Sequence, residues 1–315
     1  MTVIEVDGLR KTYGEVTAVH DVSFTVREGE VFGILGPNGA GKTTTVECLS
    51  GLRVPDAGTV SVLGLDPSRE RDALRQVLGV QLQECGLPDR LTVGEILDLF
   101  ASFHRRPADT GELLDRLGLR DKAAARYRKL SGGQKQRLAI ALAMVGRPRA
   151  VVLDELTTDL DPHARRATWD LVEQVRDSGV TVVLVTHFME EAERLCDRVA
   201  LIDAGRVVAV DTPAGLAARG DRGQRMRFRL PDDFDDAVLR ALPEVTGLTR
   251  HGGRIEVTGD ANLVLAVTSL LARRRVIAAD LRVEQATLDD AFLALTGSGA
   301  ATSPTTRPAQ ARTSR

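Results

Sequence analysis

VFGILGPNGAGKTTTVECLS, residues 31–50, is the stretch that decides the fold. It opens with an apolar run of strand length, Val31–Leu35, which predicts a buried β-strand. A glycine-rich loop follows, and then a predicted helix from about Lys42 to Ser50, which Gly51 would end. Strand, loop and helix in this order fit the pattern G-x-x-x-x-G-K-[ST], which indicates a loop that binds nucleotide phosphates.

The residue types of this loop are those that phosphate binding needs. Glycines let backbone N–H groups point at phosphate oxygens, and the following helix adds its N-terminal partial positive charge. Lys42, one of only five lysines beside 37 arginines, supplies a compact ammonium for the β- and γ-phosphates, and Thr43 offers a hydroxyl to Mg²⁺. A chance match is the alternative, and the flanking strand and helix argue against it. The predicted nucleotide-binding residues here are Gly36, Pro37, Asn38, Gly39, Ala40, Gly41, Lys42, Thr43 and Thr44.

A second motif, LSGGQKQR at residues 130–137, narrows the class of nucleotide-binding protein. Ser131 stands where an N-cap would, so the glycines open another helix N-terminus that is able to hold an anion. Alone, this pattern would indicate a simple capped helix. It lies, however, between the phosphate loop and an apolar strand, Ala150–Leu153, that leads into Asp154 and Glu155.

The remaining patterns up to about residue 218 favour an α/β fold. Residues 2–30 indicate short strands with turns, and Thr181–Val185 is a β-branched run typical of a buried parallel strand. Residues 92–145 indicate helices, with Thr92 and Glu95 forming a capping-box pattern at their start.

Composition excludes several classes of protein. The chain has 315 residues, 43% hydrophobic and 27% charged, which indicates about two globular domains. The net charge of −2 shows no basic excess, so we expect no nucleic-acid partner. Three widely spaced cysteines, Cys48, Cys85 and Cys196, predict neither a disulfide framework nor a metal site. The sequence contains neither an apolar run of membrane-spanning length nor a signal-peptide pattern, which argues against a secreted or membrane-spanning protein.

The C-terminal region has its own pattern. We expect a linker at 219–224 and an α+β extension at 225–296, followed by a disordered tail at 297–315 that contains no Val, Ile, Leu or aromatic residue. The extension follows the order βαββαβ, which is the ferredoxin-like arrangement. Its predicted elements are strand 225–230, helix 235–242, strands 245–250 and 254–258, helix 261–273 and strand 279–284.

Over residues 1–218 the chain resembles the ATP-binding subunit of an ATP-binding-cassette (ABC) transporter, because both motifs and the acidic strand end occur in that family's order. The resemblance implies an ABC-type P-loop nucleotide-binding domain. Its sheet core would be mixed, with an N-terminal antiparallel β part and an α-helical subdomain at about 85–145. The resemblance further implies that the chain is an ATPase whose ligands are ATP and Mg²⁺.

Three more positions match nucleotide- and metal-binding residues of that family. Tyr13, in RKTYGEV, matches the aromatic residue that stacks on adenine. Gln83, in GVQLQECGL, matches the glutamine that contacts both Mg²⁺ and the transmembrane partner. Asp154 matches the strand-end aspartate that reaches Mg²⁺ through a water, so the implied metal set is Thr43, Gln83 and Asp154. Read singly, Tyr13 and Gln83 could be an ordinary surface aromatic and a loop residue.

The implied catalytic residues are Glu155, His187 and Lys42. Glu155 would orient the attacking water, and His187, in LVTHFMEEAE, matches the switch histidine that contacts the γ-phosphate. The segment after Glu155 departs from the family's usual E-P-T-x-G-L-D, because Leu156 replaces a proline and Asp159 a glycine. We expect a looser loop and slower or less coupled hydrolysis, but not an inactive site.

The resemblance also implies partners. In the family, the LSGGQ of one subunit closes over the ATP of another, so we expect an ATP-bound, head-to-tail homodimer. The residues that would reach the partner's nucleotide are Ser131, Gly132, Gly133, Gln134 and Asp161. A separate transmembrane permease would dock near Gln83 and hold the chain peripherally at the cytoplasmic face of the cell membrane.

Two C-terminal segments are similar to the drug- and antibiotic-exporting branch of daunorubicin-resistance ATP-binding proteins. They are THFMEEAERLCDRVALIDAGRVVAVDTP at 186–213 and VEQATLDDAFLALTG at 283–297. This similarity predicts the motor subunit of an exporter for a drug, an antibiotic or a lipid-like compound. The alternatives are a soluble ABC ATPase acting on nucleic acid or ribosomes, and an importer subunit.

Overall fold

The computed structural model describes residues 1–82, 86–158, 160–219, 224–231, 233–260, 262–284 and 287–296. The chain forms two compact units, Met1–Arg219 and Gly220–Arg315. Most of the expected linker, 219–224, and all of the expected tail, 297–315, lie outside the described residues. Their boundaries therefore stay predictions.

The strands of the first unit form one mixed sheet in its described part, in the order β4-β1-β2-β9-β8-β3-β7-β6-β5. They are β1 Thr2–Tyr13, β2 Val16–Arg27, β3 Val31–Leu35, β4 Ala57–Val62, β5 Leu78–Gln81, β6 Ala150–Asp154, β7 Thr181–Thr186, β8 Arg198–Asp203 and β9 Arg206–Asp211.

The helices of the first unit follow these strands or connect them. They are α1 Lys42–Leu49, α2 Arg71–Leu74, α3 Val93–Ala101, α4 Thr110–Arg116, α5 Gly132–Met144, α6 Pro162–Asp177, α7 Met189–Leu195 and α8 Pro213–Arg219. Two short 3-10 turns, Arg120–Lys122 and Tyr127–Lys129, lie between α4 and α5.

The centre of the sheet is parallel and fully buried. β3 pairs with β7 on one side and β8 on the other, and β6 pairs with β7, all in parallel register. Every residue of β3, β6 and β7 is buried, which is why these strands are continuous apolar runs without alternation. Because parallel strands end at the same edge of a sheet, the loops after β3, β6 and β7 meet there.

The N-terminal part is antiparallel, as expected. β1 pairs with β2 and with β4 in antiparallel register. Buried and exposed residues largely alternate along β2, since one face of this part covers the core. The core cluster continues from these strands through Phe32 and Ile34 of β3 to Val46 and Leu49 of α1.

The helical region at 92–145 is divided into separate helices. The predicted capping box opens α3, where the Thr92 side chain accepts from the Glu95 N–H and Glu95 accepts in return. Ser131 and Gln134 form a second capping box at the start of α5. Between α4 and α5 the chain passes through Gly118, whose φ of +62° is incompatible with a continuing helix.

The second unit confirms the ferredoxin-like expectation. Its antiparallel strands lie in the order β11-β12-β10-β13, and Met226, Phe228, Ile255 and Val257 form a core with helix residues such as Val267. A further helix follows the last strand, which the six-element pattern did not include. The elements are β10 Arg225–Arg229, α9 Ala237–Arg240, β11 Val245–His251, β12 Arg254–Gly259, α10 Leu263–Arg273, β13 Ala279–Glu284 and α11 Leu288–Thr296.

Within the described ranges, none of the helices combines the length and the apolar character needed to span a bilayer.

Candidate active site: the phosphate loop and the signature cleft

The phosphate loop connects β3 to α1 and borders an open cleft of about 350 Å³. Gly41 is the N-cap of α1 with a φ of +97°, and a Cβ there would lie 2.5 Å from the Ala18 carbonyl oxygen. At Gly36 a Cβ would lie 2.1 Å from the Ile202 carbonyl oxygen. Both glycines are therefore required by the packing of the loop against its own domain. The cleft is lined by Ala18, Asn38, Gly39, Gly41, Lys42, Thr43, Thr44 and Glu155.

Lys42 is only 5% exposed, although it carries a charge. Its Nζ donates to the carbonyl oxygens of Gly36 at 2.8 Å and Pro37 at 3.0 Å, which holds the ammonium within the curve of the loop. Burial lowers the pKa of Lys42, while the negative charges of Glu155 and Asp154 act in the opposite direction. The loop thus positions a cation where two carboxylates already favour it.

Asp154, the last residue of β6, is a buried carboxylate without hydrogen-bond partners among the described residues. It is 1% exposed, and both of its carboxylate oxygens lack a partner. Burial, followed by the charge of Glu155, raises its pKa to about 6, while Lys42 lowers it. A buried, unpaired carboxylate beside a phosphate loop fits a divalent cation or its bound water, because these supply the charge and donors that the protein does not.

Glu155 and His187 are brought together from the ends of neighbouring strands. The Glu155 N–H donates to the Val185 carbonyl oxygen at 2.9 Å, and the residue adopts a φ of +48°. This left-handed conformation is uncommon outside glycine and is associated with functional sites. The Oε1 of Glu155 lies 3.3 Å from the Nδ1 of His187. Glu155 also lines the cleft of the phosphate loop, so the Glu155–His187 pair and the phosphate loop form one site.

Two residues of the segment after β6 depart from the pattern that the resemblance implies. Leu156, which stands where a proline was expected, is fully buried and fills space within the domain. Asp159 lies outside the described residues, as does Gln83. The expected roles of Asp159 and Gln83 therefore stay predictions.

Tyr13 ends β1, and its side chain is 40% exposed. Its hydroxyl donates to Glu47 Oε2 of α1 at 3.5 Å. The cations of Arg53 and Lys11 lie 5.7 and 5.8 Å from the ring centroid. The ring therefore stands beside the helix that the phosphate loop opens, with exposed surface for a planar group.

The LSGGQ residues form a second cleft, of about 320 Å³, which shares no lining residue with the first. Asp161 caps α6 by accepting from the N–H groups of His163 and Ala164, and these two bonds lower its pKa despite some opposing desolvation. The structure thus brings Asp161 and the LSGGQ residues to one cleft. This second cleft, the signature cleft, is lined by Ser131, Gly132, Gly133, Gln134, Arg137, Leu160, Asp161, His163 and Ala164.

The glycines of the signature cleft differ from those of the phosphate loop. A Cβ on Gly132 would approach nothing closer than 3.6 Å, and one on Gly133 nothing closer than 3.4 Å, which are ordinary contacts. Neither has a left-handed φ. Their own domain therefore does not require glycine at these positions.

Sequence reasoning missed some residues that shape the site. Gln81, which is 3% exposed, accepts from the Asp154 N–H at 3.0 Å and so fixes the end of β6. Phe188 packs against His187, and Arg165 packs against Phe188. A buried glutamine at a strand end was a possible signal for Gln81, but the pairing of Arg165 with Phe188 spans 22 intervening residues and has no local signal.

Comparison with known proteins gives the family. The family model for the ABC transporter matches residues 19–158. The chain is 38% identical over 305 residues to the daunorubicin resistance ATP-binding protein of Streptomyces coeruleorubidus, covering 94% of this chain and 96% of that one. The chain belongs to the ABC transporter ATP-binding family. This ABC subunit is an ATPase, related to the ATP-binding proteins of drug and antibiotic resistance exporters.

Two further comparisons agree with this assignment. The ABC subunit is 40% identical over 309 residues to the Nod factor export ATP-binding protein I of Ralstonia nicotianae, covering 94% of each chain. A dimeric cassette structure in a post-hydrolysis state bound to ADP and Pi is 27% identical. It superposes with a TM-score of 0.61 over 66% of this chain and 98% of that one. The ABC fold expected from the two motifs is therefore confirmed.

Proposed function

We propose that the pair formed by Glu155 and His187, beside the phosphate loop, is the hydrolytic centre. Glu155 orients a water toward the γ-phosphorus and takes up its proton, the water oxygen bonds to phosphorus, and the bond to the β–γ bridging oxygen breaks to release ADP. His187 contacts a γ-phosphate oxygen, while Lys42 and the loop amides neutralise the charge that develops. The observation that carries this proposal is the 3.3 Å approach of His187 Nδ1 to Glu155 Oε1 at the edge of the cleft.

The same proposal assigns the metal and nucleotide contacts. Thr43 and Gln83 would hold Mg²⁺, and Asp154 would accept from a water bound to it. When bound, Mg²⁺ neutralises charge on the phosphate oxygens. Tyr13 would stack on the adenine, and the loop residues 36–44 would bind the phosphates through their amides. The unpaired oxygens of Asp154 support the metal assignment.

The active unit is a head-to-tail homodimer in which the signature cleft of one subunit covers the ATP of the other. Support comes from the glycines that line the space of this cleft, because a Cβ on Gly132 or Gly133 would make only ordinary contacts within their own domain. Ser131, Gln134 and Asp161 line the same space. A close approach of backbone to a phosphate outside the domain explains why side chains are absent there.

Complementation between two inactive variants tests this arrangement. Lys42→Ala destroys the phosphate loop and leaves the signature cleft intact, whereas Gly133→Asp does the reverse. In a mixed head-to-tail dimer, one composite site is intact, so mixing the two inactive proteins should restore ATPase activity. Mixing either variant with itself is the control. Absence of restored activity, in mixtures shown by mass to contain the mixed dimer, would contradict the arrangement.

We further propose that a separate transmembrane permease docks near Gln83 and on the helical subdomain, and that the pair exports a drug, an antibiotic or a lipid-like compound. Leu99 and Phe103, on α3 and just after it, are 42% and 63% exposed and offer apolar surface for this contact. This docking would hold the chain peripherally at the cytoplasmic face of the membrane.

Co-purification tests the export proposal. The tagged chain, extracted from membranes of its native host, should bring a six-helix membrane protein with it. Phe103→Ser should weaken that association while leaving ATPase activity of the purified chain unchanged. Recovery of ribosomes or nucleic acid without a membrane protein would instead support a soluble ABC ATPase and would contradict export.

A further inference from the structure

The ring of Phe188 packs directly against the imidazole of His187. The two ring centroids lie 4.1 Å apart, with their planes inclined by 39°. The Phe188 N–H donates to Thr186 Oγ1 at 3.0 Å, which fixes the residue at the end of β7. Phe188 is the N-cap residue of α7, but its side chain makes no cap. Helix capping favours Ser, Thr, Asp and Asn, so it does not explain an aromatic residue here.

The second contact of this ring comes from the helix that begins at the signature cleft. The guanidinium carbon of Arg165, in α6, lies 4.5 Å from the Phe188 ring centroid. The Arg165 Nε is buried and has no hydrogen-bond partner within the described ranges. A buried donor without a partner is costly, so the ring face is the interaction that compensates for placing Arg165 there.

Two more groups of side-chain contacts join α6 to α7. Trp169 Nε1 donates to Glu191 Oε1 at 2.9 Å, and both residues are buried. Further along, the Arg194 guanidinium lies 5.2 Å from the Trp169 ring and 2.9 Å from Asp170 Oδ1. We call these contacts of Arg165, Trp169 and Arg194 the α6–α7 ladder. Because packed side chains resist independent sliding, these contacts couple the position of α7 to that of α6.

The other end of α6 belongs to the signature cleft. Asp161 caps α6 and lines that cleft together with Ala164. The Arg165 N–H donates to the Asp161 carbonyl oxygen at 2.9 Å, so Arg165 moves with the cap. Continuous contacts therefore lead from Asp161 through Arg165 and Phe188 to His187.

We propose that Phe188 is a positioning residue, held by Arg165, that sets the imidazole of His187 against Glu155 and links it to the signature cleft of the same chain. Closure of that cleft on the ATP of a partner subunit shifts α6, and the Arg165–Phe188 contact carries the shift to the histidine that serves the chain's own ATP. This inference rests on the proposed role of His187 in hydrolysis. It specifies how the two ATP sites of a dimer respond to each other.

Steady-state kinetics on the full chain provide the first test. Phe188→Leu, which keeps apolar bulk but removes the ring, should lower kcat about fivefold or more while leaving the KM for ATP within about twofold. Phe188→Tyr should recover most of the lost kcat. Arg165→Met should show the same pattern as Phe188→Leu. The double variant should be no slower than the slower single variant, since each substitution removes the same Arg165–Phe188 contact. Phe234→Leu in the second unit is the matched control substitution.

Histidine NMR gives a second readout that does not depend on turnover. The chain has five histidines, so the His187 ring resonance is identified by its loss in His187→Ala. Arg165→Met should shift the His187 resonance, although Arg165 reaches His187 only through Phe188. The same spectra and a melting curve show whether each variant is folded.

The outcomes separate this inference from the proposed function. If the wild type hydrolyses ATP and His187→Ala does not, then an unchanged kcat in folded Phe188→Leu overturns the positioning role alone. Additive losses in the double variant, or an unmoved His187 resonance in Arg165→Met, also overturn it. If His187→Ala retains the wild-type rate, the role of His187 in the proposed function fails and the inference fails with it.

Discussion

Replacing Asp154 by asparagine should stabilise the nucleotide-free protein at alkaline pH while weakening its response to Mg²⁺-ATP. Asp154 is 1% exposed, and its carboxylate oxygens lack partners among the described residues. Burial, and then the charge of Glu155, raise its pKa from 3.8 to about 6, against the attraction of Lys42. The native state therefore contains a carboxylate that ionises less readily than it does in the unfolded chain.

The size and sign of the effect follow from linkage. A pKa raised from 3.8 to about 6 corresponds to about 3 kcal/mol of unfolding free energy, at about 1.4 kcal/mol per unit. For an acid with a raised folded pKa, this loss of stability is absent below the unfolded pKa and complete above the folded one. Asparagine has no charge to desolvate, but its amide hydrogens need partners, so we expect a net gain of about 1–3 kcal/mol at pH 8.

Thermal melting in EDTA measures this gain. At pH 8 the Tm of Asp154→Asn should exceed that of the wild type by several °C, at about 2–4 °C per kcal/mol for a domain of this size. The gain should be smaller by about 1.4 kcal/mol at pH 5, because the charge penalty there is about half of its value at pH 8. Added Mg²⁺-ATP should raise the Tm of the wild type more than that of the variant, because the variant loses the residue proposed to hold the metal-bound water.

Asp161→Asn is the matched control for this prediction. The Asp161 carboxylate is exposed and accepts from the N–H groups of Ala164 and His163, which lower its pKa, so its contribution to stability is lost as the pH falls. Asparagine also caps helices, and this variant should show no gain at pH 8. A Tm of Asp154→Asn at or below that of the wild type at pH 8, or a larger gain at pH 5 than at pH 8, would refute the reasoning.

Three further predictions concern the nucleotide site. Lys42→Ala should abolish phosphate release, and unchanged ATP affinity and turnover would rule out the assignment of the phosphate loop. Gly36→Ala should lower the unfolding free energy by about 1–3 kcal/mol, measured by urea titration, because its Cβ would lie 2.1 Å from the Ile202 carbonyl oxygen. Gly132→Ala should lose less, because its Cβ would approach nothing closer than 3.6 Å and Gly132 has no left-handed φ. Tyr13→Leu should weaken binding of a fluorescent ATP analogue by about 1–3 kcal/mol through loss of stacking, while Tyr13→Trp should not; equal affinities of all three proteins would contradict the adenine assignment.

The parts of the fold that were predictable from sequence are those with local causes. The strand, loop and helix around Gly41, and the caps at Thr92 and Ser131, depend on hydrogen bonds and backbone conformations within a few residues. The order of elements in the second unit could also be predicted from the sequence, because its buried residues alternate along β10 and β12. Its last helix, α11, was not part of that pattern.

The parts that were not predictable depend on contacts between distant residues. No local pattern places β6 beside β7, and it is this pairing that brings Glu155 and His187 within 3.3 Å. The left-handed backbone of Glu155 has no sequence signature, since glutamate is not a residue that favours it. The resemblance supplied the roles of Glu155 and His187, whereas the Arg165–Phe188 contact became visible only in three dimensions.

Glu155→Gln with ATP tests the central claim most directly, since it removes the proposed base and keeps the size and polarity of the side chain. In light scattering after gel filtration with Mg²⁺-ATP, we expect a stable dimer of twice the 34.0 kDa chain mass and almost no phosphate release. With Mg²⁺-ADP the variant should be monomeric. Phosphate release at the wild-type rate, or a monomer that persists at saturating ATP, would contradict the account.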